Sequence, residues 1–199
     1  MRPELRRAAI IDAALPLLRQ HGSDVTTKQI ADAAGVAEGT VFRAFADKES
    51  LILAVVQQAF DPGETIALLR TVDLTLPLKE RLTVAINILT ARLETVWELM
   101  MSLRMSGAPG QDPRFRAALP SKQVHDMLPE ALMALIEPDR FQLRVDTFQA
   151  ARILRLITFA CTHPRITESN PLKPDEIVDL LLDGLRVRRP DGHAHAQAP

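Results

Sequence analysis

Residues 22–52 read Gly-Ser-Asp-Val-Thr-Thr-Lys-Gln-Ile-Ala-Asp-Ala-Ala-Gly-Val-Ala-Glu-Gly-Thr-Val-Phe-Arg-Ala-Phe-Ala-Asp-Lys-Glu-Ser-Leu-Ile, and this punctuation leaves room for little except short helices. Thr26, with Gln29 three residues on, has the spacing of a capping box. Ile30 and Ala33 or Ala34 are placed to face inward, Gly35 supplies a left-handed turn residue, and Val36 plugs the corner. Glu38 to Phe45 predicts a second helix of about two turns, short enough to lie in a major groove. Asp47 caps the next helix, which opens Lys48-Glu49-Ser50-Leu51. Two short helices meeting at a glycine, with a supporting helix behind them, form a helix-turn-helix.

The arrangement resembles the TetR family of bacterial transcriptional regulators over about residues 4–60. The residues that carry the resemblance are an N-terminal amphipathic helix ending at Gly22, then Thr-Thr-x-x-Ile-Ala-x-x-Ala-Gly-Val, Gly-Thr-Val-Phe-Arg and Phe-x-x-Lys-Glu-x-Leu. Beyond them the chain matches the family in length and helical character only.

At 199 residues the chain has ample length for a buried core. Apolar residues make up 47% of it, yet no run reaches the roughly 20 residues of a membrane span. The N-terminus opens directly into an amphipathic helix and does not read as a signal peptide. A single cysteine, Cys161, excludes an internal disulfide and suits a reducing cytoplasm. Net charge is −1, and residues 1–60 carry seven basic and seven acidic side chains. Binding to DNA would therefore rest on a few placed contacts rather than on a basic field.

The expected fold is all-α: an N-terminal three-helix helix-turn-helix domain (1–46), a connecting helix (47–60), a helical effector-binding and dimerisation domain (61–187) and a disordered tail (188–199). Helix 1 spans about Pro3 to Gln20, with Leu5, Ile10, Ala14, Leu17 and Leu18 at helical spacing and a kink expected at Pro16. The longest periodic stretch is Lys79 to Met105, whose stripe Leu82, Ile86, Leu89, Leu93, Val96, Met100 and Leu103 is about 40 Å long at 1.5 Å per residue. Further helices are expected at 64–78 in part, at Pro113–Ala118, Lys122–Ile136, Leu143–Cys161 and Asp175–Val187.

The resemblance implies roles for particular residues. Glu38, Gly39, Thr40, Phe42 and Arg43 would belong to the reading helix, with Arg43 offering a bidentate fork to guanine and Thr40 a hydroxyl or methyl. Thr27, Lys28 and Lys48 would meet phosphate at helix starts, together with Arg2, Arg6 and Arg7. Two positions depart from the family: Phe42 stands where tyrosine is usual, and Ala37 where a hydroxyl cap is usual. An effector cavity would be lined by Trp97, Met101, Arg104, Met105, Phe115, Met127, Phe148 and Arg152 and would take a small, largely apolar molecule. Arg104 and Arg152 each need either an internal acid or an anionic ligand. The last two helices would pair with their symmetry mates through Ile153, Leu156, Ile157, Ile177, Val178, Leu181, Leu182 and Leu185, giving a homodimer.

No cofactor or metal is expected, since His21, His125 and His163 are scattered and His193 and His195 lie in the tail. The expected function is repression of transcription from a pseudo-palindromic operator in double-stranded DNA, relieved by a small-molecule effector, in the cytoplasm and without a membrane. The alternative is a DNA-binding regulator controlled by a protein partner or acting constitutively. An enzyme or a purely structural helical protein ranks behind both.

Overall fold

The computed structural model describes residues 2–103 and 122–186 of the chain. Within them the architecture is all-α: α1 (Pro3–His21), α2 (Thr27–Ala33), α3 (Glu38–Ala44), α4 (Lys48–Phe60), α5 (Gly63–Arg70), α6 (Leu78–Ser102), α7 (Lys122–Ile136), α8 (Thr147–Thr162) and α9 (Pro174–Leu185). The expected helix at Pro113–Ala118 and the tail 188–199 lie outside the described residues.

Local chemistry sets most helix ends. Pro3 occupies the first turn of α1, where a missing N–H costs nothing. The helix then runs unbroken through Pro16 to Gly22, whose φ of 59° ends it. Thr26 and Asp47 cap α2 and α4 in reciprocal boxes with Gln29 and Ser50. Asp146 caps α8 by accepting from the Gln149 N–H at 2.7 Å.

Burial divides the molecule into a reading head and a body. The head core joins Ile10, Ala14 and Leu18 of α1 to Val25, Ile30, Val41, Phe45 and the inner face of α4, Leu51, Ala54, Val55 and Val56. Helix α4, expected as a connector, is thus part of the head's own core. Leu99 and Leu103, at the far end of α6, complete it. Leu5, expected inward, is exposed; of the pair Ala33 or Ala34, it is Ala34 that packs against this core, with Ala31 fully buried beside it.

The body core draws on α5, the first half of α6, α7, α8 and α9. Near its base Arg81 is 1% exposed, forms an ion pair with Asp139, and donates to the Leu74 carbonyl at 2.6 Å.

The expected dimer face needs correction. Ile177, Val178, Leu181, Leu182 and Leu185 are buried within this same core, so they have almost no surface left to give a partner. Ile153 and Ile157 are partly buried against it. Only Leu156 of the expected set projects outward, at 60% exposure, and the apolar groups beside it on the outer faces of α8 and α9 are Phe148, Phe159 and Leu180. Hydrophobic periodicity identifies an apolar face, but not whether that face meets its own chain or another.

Candidate nucleic-acid interface and effector recess

The glycine corner is built as a Schellman turn. Gly35 has φ +64°, its N–H donates to the Asp32 carbonyl at 3.2 Å, and the Val36 N–H donates to the Ala31 carbonyl at 3.0 Å. Both orphan carbonyls at the end of α2 are thereby satisfied, and α3 leaves at a fixed angle. Helix α3 then buries Val41 and Phe45 and turns Glu38, Gly39, Phe42 and Arg43 outward. Phe42 is 53% exposed, a large apolar ring held in water on a helix whose opposite face is dry.

Several of the expected DNA-contact groups make bonds within the head. The Thr27 hydroxyl donates to the Glu38 carboxylate at 2.7 Å, tying the first turn of α2 to the first turn of α3. Lys48 donates through Nζ to the Ser23 carbonyl, steadying the turn between α1 and α2. Arg7 donates to the Ala44 carbonyl at 2.8 Å and stacks over the Phe45 ring at 4.1 Å, which places a cation at the negative end of α3. Arg19 pairs with Glu98 of α6. Ala37 offers no side-chain cap to α3. Lys28, Arg43 and Thr40 keep their side chains out of these bonds: Lys28 and Arg43 are exposed and Thr40 is partly exposed. Among the described residues no hydrogen bond or ion pair engages Lys28 or Arg43. The head therefore presents a short helix with one guanidinium, one ring and close backbone access at Gly39, flanked by one lysine.

Residues 10–55 match the family described as bacterial regulatory proteins, tetR family. Residues 10–55 are a TetR-family DNA-binding domain. A stretch of 59 residues, 29% of this chain, is 46% identical to an uncharacterized HTH-type transcriptional regulator, YvkB, of Bacillus subtilis, and spans 30% of that protein's length. Beyond this stretch the likeness is of fold. A TetR transcriptional regulator of Streptomyces coelicolor, 24% identical, superposes on 92% of this chain and 99% of its own with a TM-score of 0.57. A TetR-family regulator of Mesorhizobium loti, 21% identical, covers 94% and 100% with a TM-score of 0.64. Like them, this chain joins an N-terminal helix-turn-helix to an all-helical body.

The expected effector residues do not gather into one cavity. Arg104, Met105 and Phe115 lie outside the described residues. Trp97 is largely buried against two rings, Phe159 at 5.6 Å and His163 at 5.0 Å between centroids, and it shares with Met101 the lining of one recess. Met101 is 63% exposed beside a recess of about 330 Å³ that Glu94, Glu98, Thr162 and Ser169 also line. Phe148 projects into solvent, and Met127 packs against the body core. Sequence spacing placed Trp97, Met101, Met127, Phe148 and Arg152 on helices but could not tell which helix each would meet.

A different recess, about 370 Å³, opens between α6, α7 and α8. Leu89, Leu93, Leu128, Leu156 and Phe159 give it an apolar lining, and Arg92, Arg152 and Arg155 bring three cations to it. Arg152 was expected at an effector site; Arg92 and Arg155 were not, although Arg155 interrupts an otherwise apolar helix. Desolvation pulls the Arg92 guanidinium below its ordinary pKa; Asp61 acts against this and the charge of Arg155 adds to it. Burial lowers Arg155 in the same way.

Proposed function

We propose that this chain is a one-component transcriptional regulator that binds a pseudo-palindromic operator as a homodimer, represses transcription there, and is released by a small molecule bound in the body. The observation that carries this reading is the asymmetry of α3, which anchors Val41 and Phe45 and leaves Phe42 and Arg43 outward, with Arg43 free of internal bonds. A guanidinium so presented suits the O6/N7 edge of guanine, and a helix this short reads few bases. Specific occupancy then needs two heads on two half-sites.

Dimerisation is assigned to the outer faces of α8 and α9, where Phe148, Leu156 and Leu180 are exposed on neighbouring helices; an isologous pairing would remove all of them from water twice over. The body has recesses of effector size; among the described residues no group of His, Cys, Asp and Glu could hold a metal, and burial raises the Cys161 thiol. No helix among them is long and apolar enough to cross a membrane. The reading places the protein with its DNA in the cytoplasm and assigns it no enzymatic activity.

The test is a gel shift against DNA flanking the chain's own gene, with Arg43→Ala beside the wild type. Operator affinity should fall by about 1–3 kcal/mol, with relaxed preference at one base step per half-site. An unchanged footprint and affinity would remove α3 as the reading helix.

A further inference from the structure

We propose that the recess between α6, α7 and α8 binds an organic anion with an apolar body, that Arg92 and Arg155 take its charged group, and that Arg92 relays occupancy to the reading head. The proposal rests on the regulatory reading above and names the chemistry of its effector.

The lining is chemically one-sided. Five apolar side chains and Thr158 share the recess with Arg92, Arg152 and Arg155, and among the described residues no carboxylate lines it. Two other recesses of similar size carry acids: Glu94 and Glu98 beside Trp97, Asp61 and Glu64 between α4, α5 and α6. Like charges gathered at a partly desolvated wall repel, and buried cations are ordinarily paired. Among the described residues neither Arg152 nor Arg155 has a hydrogen bond or ion pair. Arg92 donates from Nη2 to the Phe60 carbonyl at 2.7 Å, while its buried Nε has no acceptor. A carboxylate offers what is missing, two acceptor oxygens in the plane of a guanidinium fork. Leucine and phenylalanine walls suit an alkyl or aryl body behind it, and about 370 Å³ matches a small organic molecule.

Arg92 also forms the relay. Its side chain borders both this recess and the one facing α4. Phe60 is the last residue of α4, and α4 contributes four side chains to the head core. Gln58, two residues earlier, donates to Asp12 of α1 at 2.6 Å. An anion that draws the Arg92 guanidinium into the recess therefore competes with the Phe60 carbonyl and with Asp61 for the same side chain. The end of α4, and with it the angle of the head, shifts in response. Coupling of this kind is reciprocal, so bound operator weakens the anion by the same factor, typically about 5–150-fold.

The experiment uses decanoate and the uncharged decanol of equal length, titrated by calorimetry into the full chain, with operator binding followed in parallel by fluorescence anisotropy. Decanoate should bind at least about tenfold more tightly than decanol and should release operator over the same concentration range. Arg155→Gln, with its thermal melt as the fold control, should lose about tenfold or more in decanoate affinity and leave decanol unaffected. Arg92→Gln should lose both decanoate affinity and decanoate-driven release. Equal affinity for decanol and decanoate, no decanoate binding, or wild-type decanoate binding by Arg155→Gln would overturn the anion site. Decanoate binding that never alters operator affinity would overturn the relay. Either result, with operator binding intact, leaves the DNA-binding reading standing; failure to bind any operator strikes that reading instead.

Discussion

Helices α3 and α8 each bring a phenylalanine and an arginine to the surface, Phe42 with Arg43 and Phe159 with Arg155, in opposite settings. Around α3 the neighbouring charges are spent on structure: Glu38 on Thr27, Arg7 on the Ala44 carbonyl, Lys48 on the Ser23 carbonyl. That leaves Arg43 fully hydrated and unopposed. Around α8, Arg92 and Arg155 are partly dry and share a recess with Arg152, with no acid among the described residues that line it. The first pattern suits a group that must meet whatever the solvent brings, over a large polyanionic surface. The second suits a group waiting for one small counter-charge. The two regions also differ in what holds them: caps and a turn fix the head within a few residues of each group, whereas α8 is held chiefly by burial against helices distant in sequence.

The sharpest break of this comparison lies where head meets body. A Cβ on Gly22 would stand 2.2 Å from the Ser102 carbonyl oxygen, at a backbone conformation (φ 59°, ψ −142°) that is essentially glycine's alone. Gly22→Ala should therefore destabilise the chain by about 3–4 kcal/mol, combining strain and overpacking, read as a lowered urea midpoint at unchanged slope. A loss under about 1 kcal/mol would mean that α1 and α6 separate without cost, and that the head is tied to the body by α4 alone.

Next comes the buried pair in the body. Asp139→Ala leaves Arg81 charged and nearly inaccessible, with an Nε already lacking an acceptor, and should cost about 3 kcal/mol. Replacing Arg81 with Met and Asp139 with Leu together should recover most of that loss. If the double variant is as unstable as the single one, the pair contributes attraction and not merely mutual neutralisation.

Gly35→Ala tests the head's own corner. Nothing lies within 4 Å of the added Cβ, so only the left-handed conformation is penalised, by about 1–2 kcal/mol. A loss equal to that of Gly22→Ala would erase the distinction between a locally built turn and a close approach of two regions.

The same distinction explains what could be read from the amino-acid sequence. The box at Thr26, the cap at Asp47, the turn at Gly35 and the continuation of α7 through Pro129 are legible because each signal lies within a few residues of what it controls. The capture of Arg7 by the end of α3, the fit of Gly22 against Ser102, and the Trp97–Phe159–His163 cluster join positions 37 to 80 residues apart or their near equivalents, and no spacing rule reports them. The buried faces of α9 show the same limit. Ile177, Val178, Leu181 and Leu182 form an unmistakable apolar stripe, but its partner is α6 and its neighbours in the same chain. The recess between α6, α7 and α8 was half visible, since Arg152 stood out on an apolar helix while Arg92 looked like an ordinary solvated residue of α6.

The smallest expected effect concerns Phe42. Its ring projects from α3 beside Arg43, with 53% of its surface in water, so a hydroxyl added at the ring's tip meets solvent in the free protein and disturbs no packing. Phe42→Tyr should leave the urea midpoint of the free chain unchanged. On DNA the same hydroxyl can donate to a phosphate oxygen, tightening operator binding by about 0.5–1 kcal/mol. Because a phosphate contact carries no base information, preference among half-site sequences should not alter. The head's outward groups would then divide cleanly, Arg43 selecting sequence and position 42 adding only affinity. Weaker binding by Phe42→Tyr would show instead that the ring's apolar edge meets a thymine methyl, making Phe42 part of the reading and the missing hydroxyl a device of specificity.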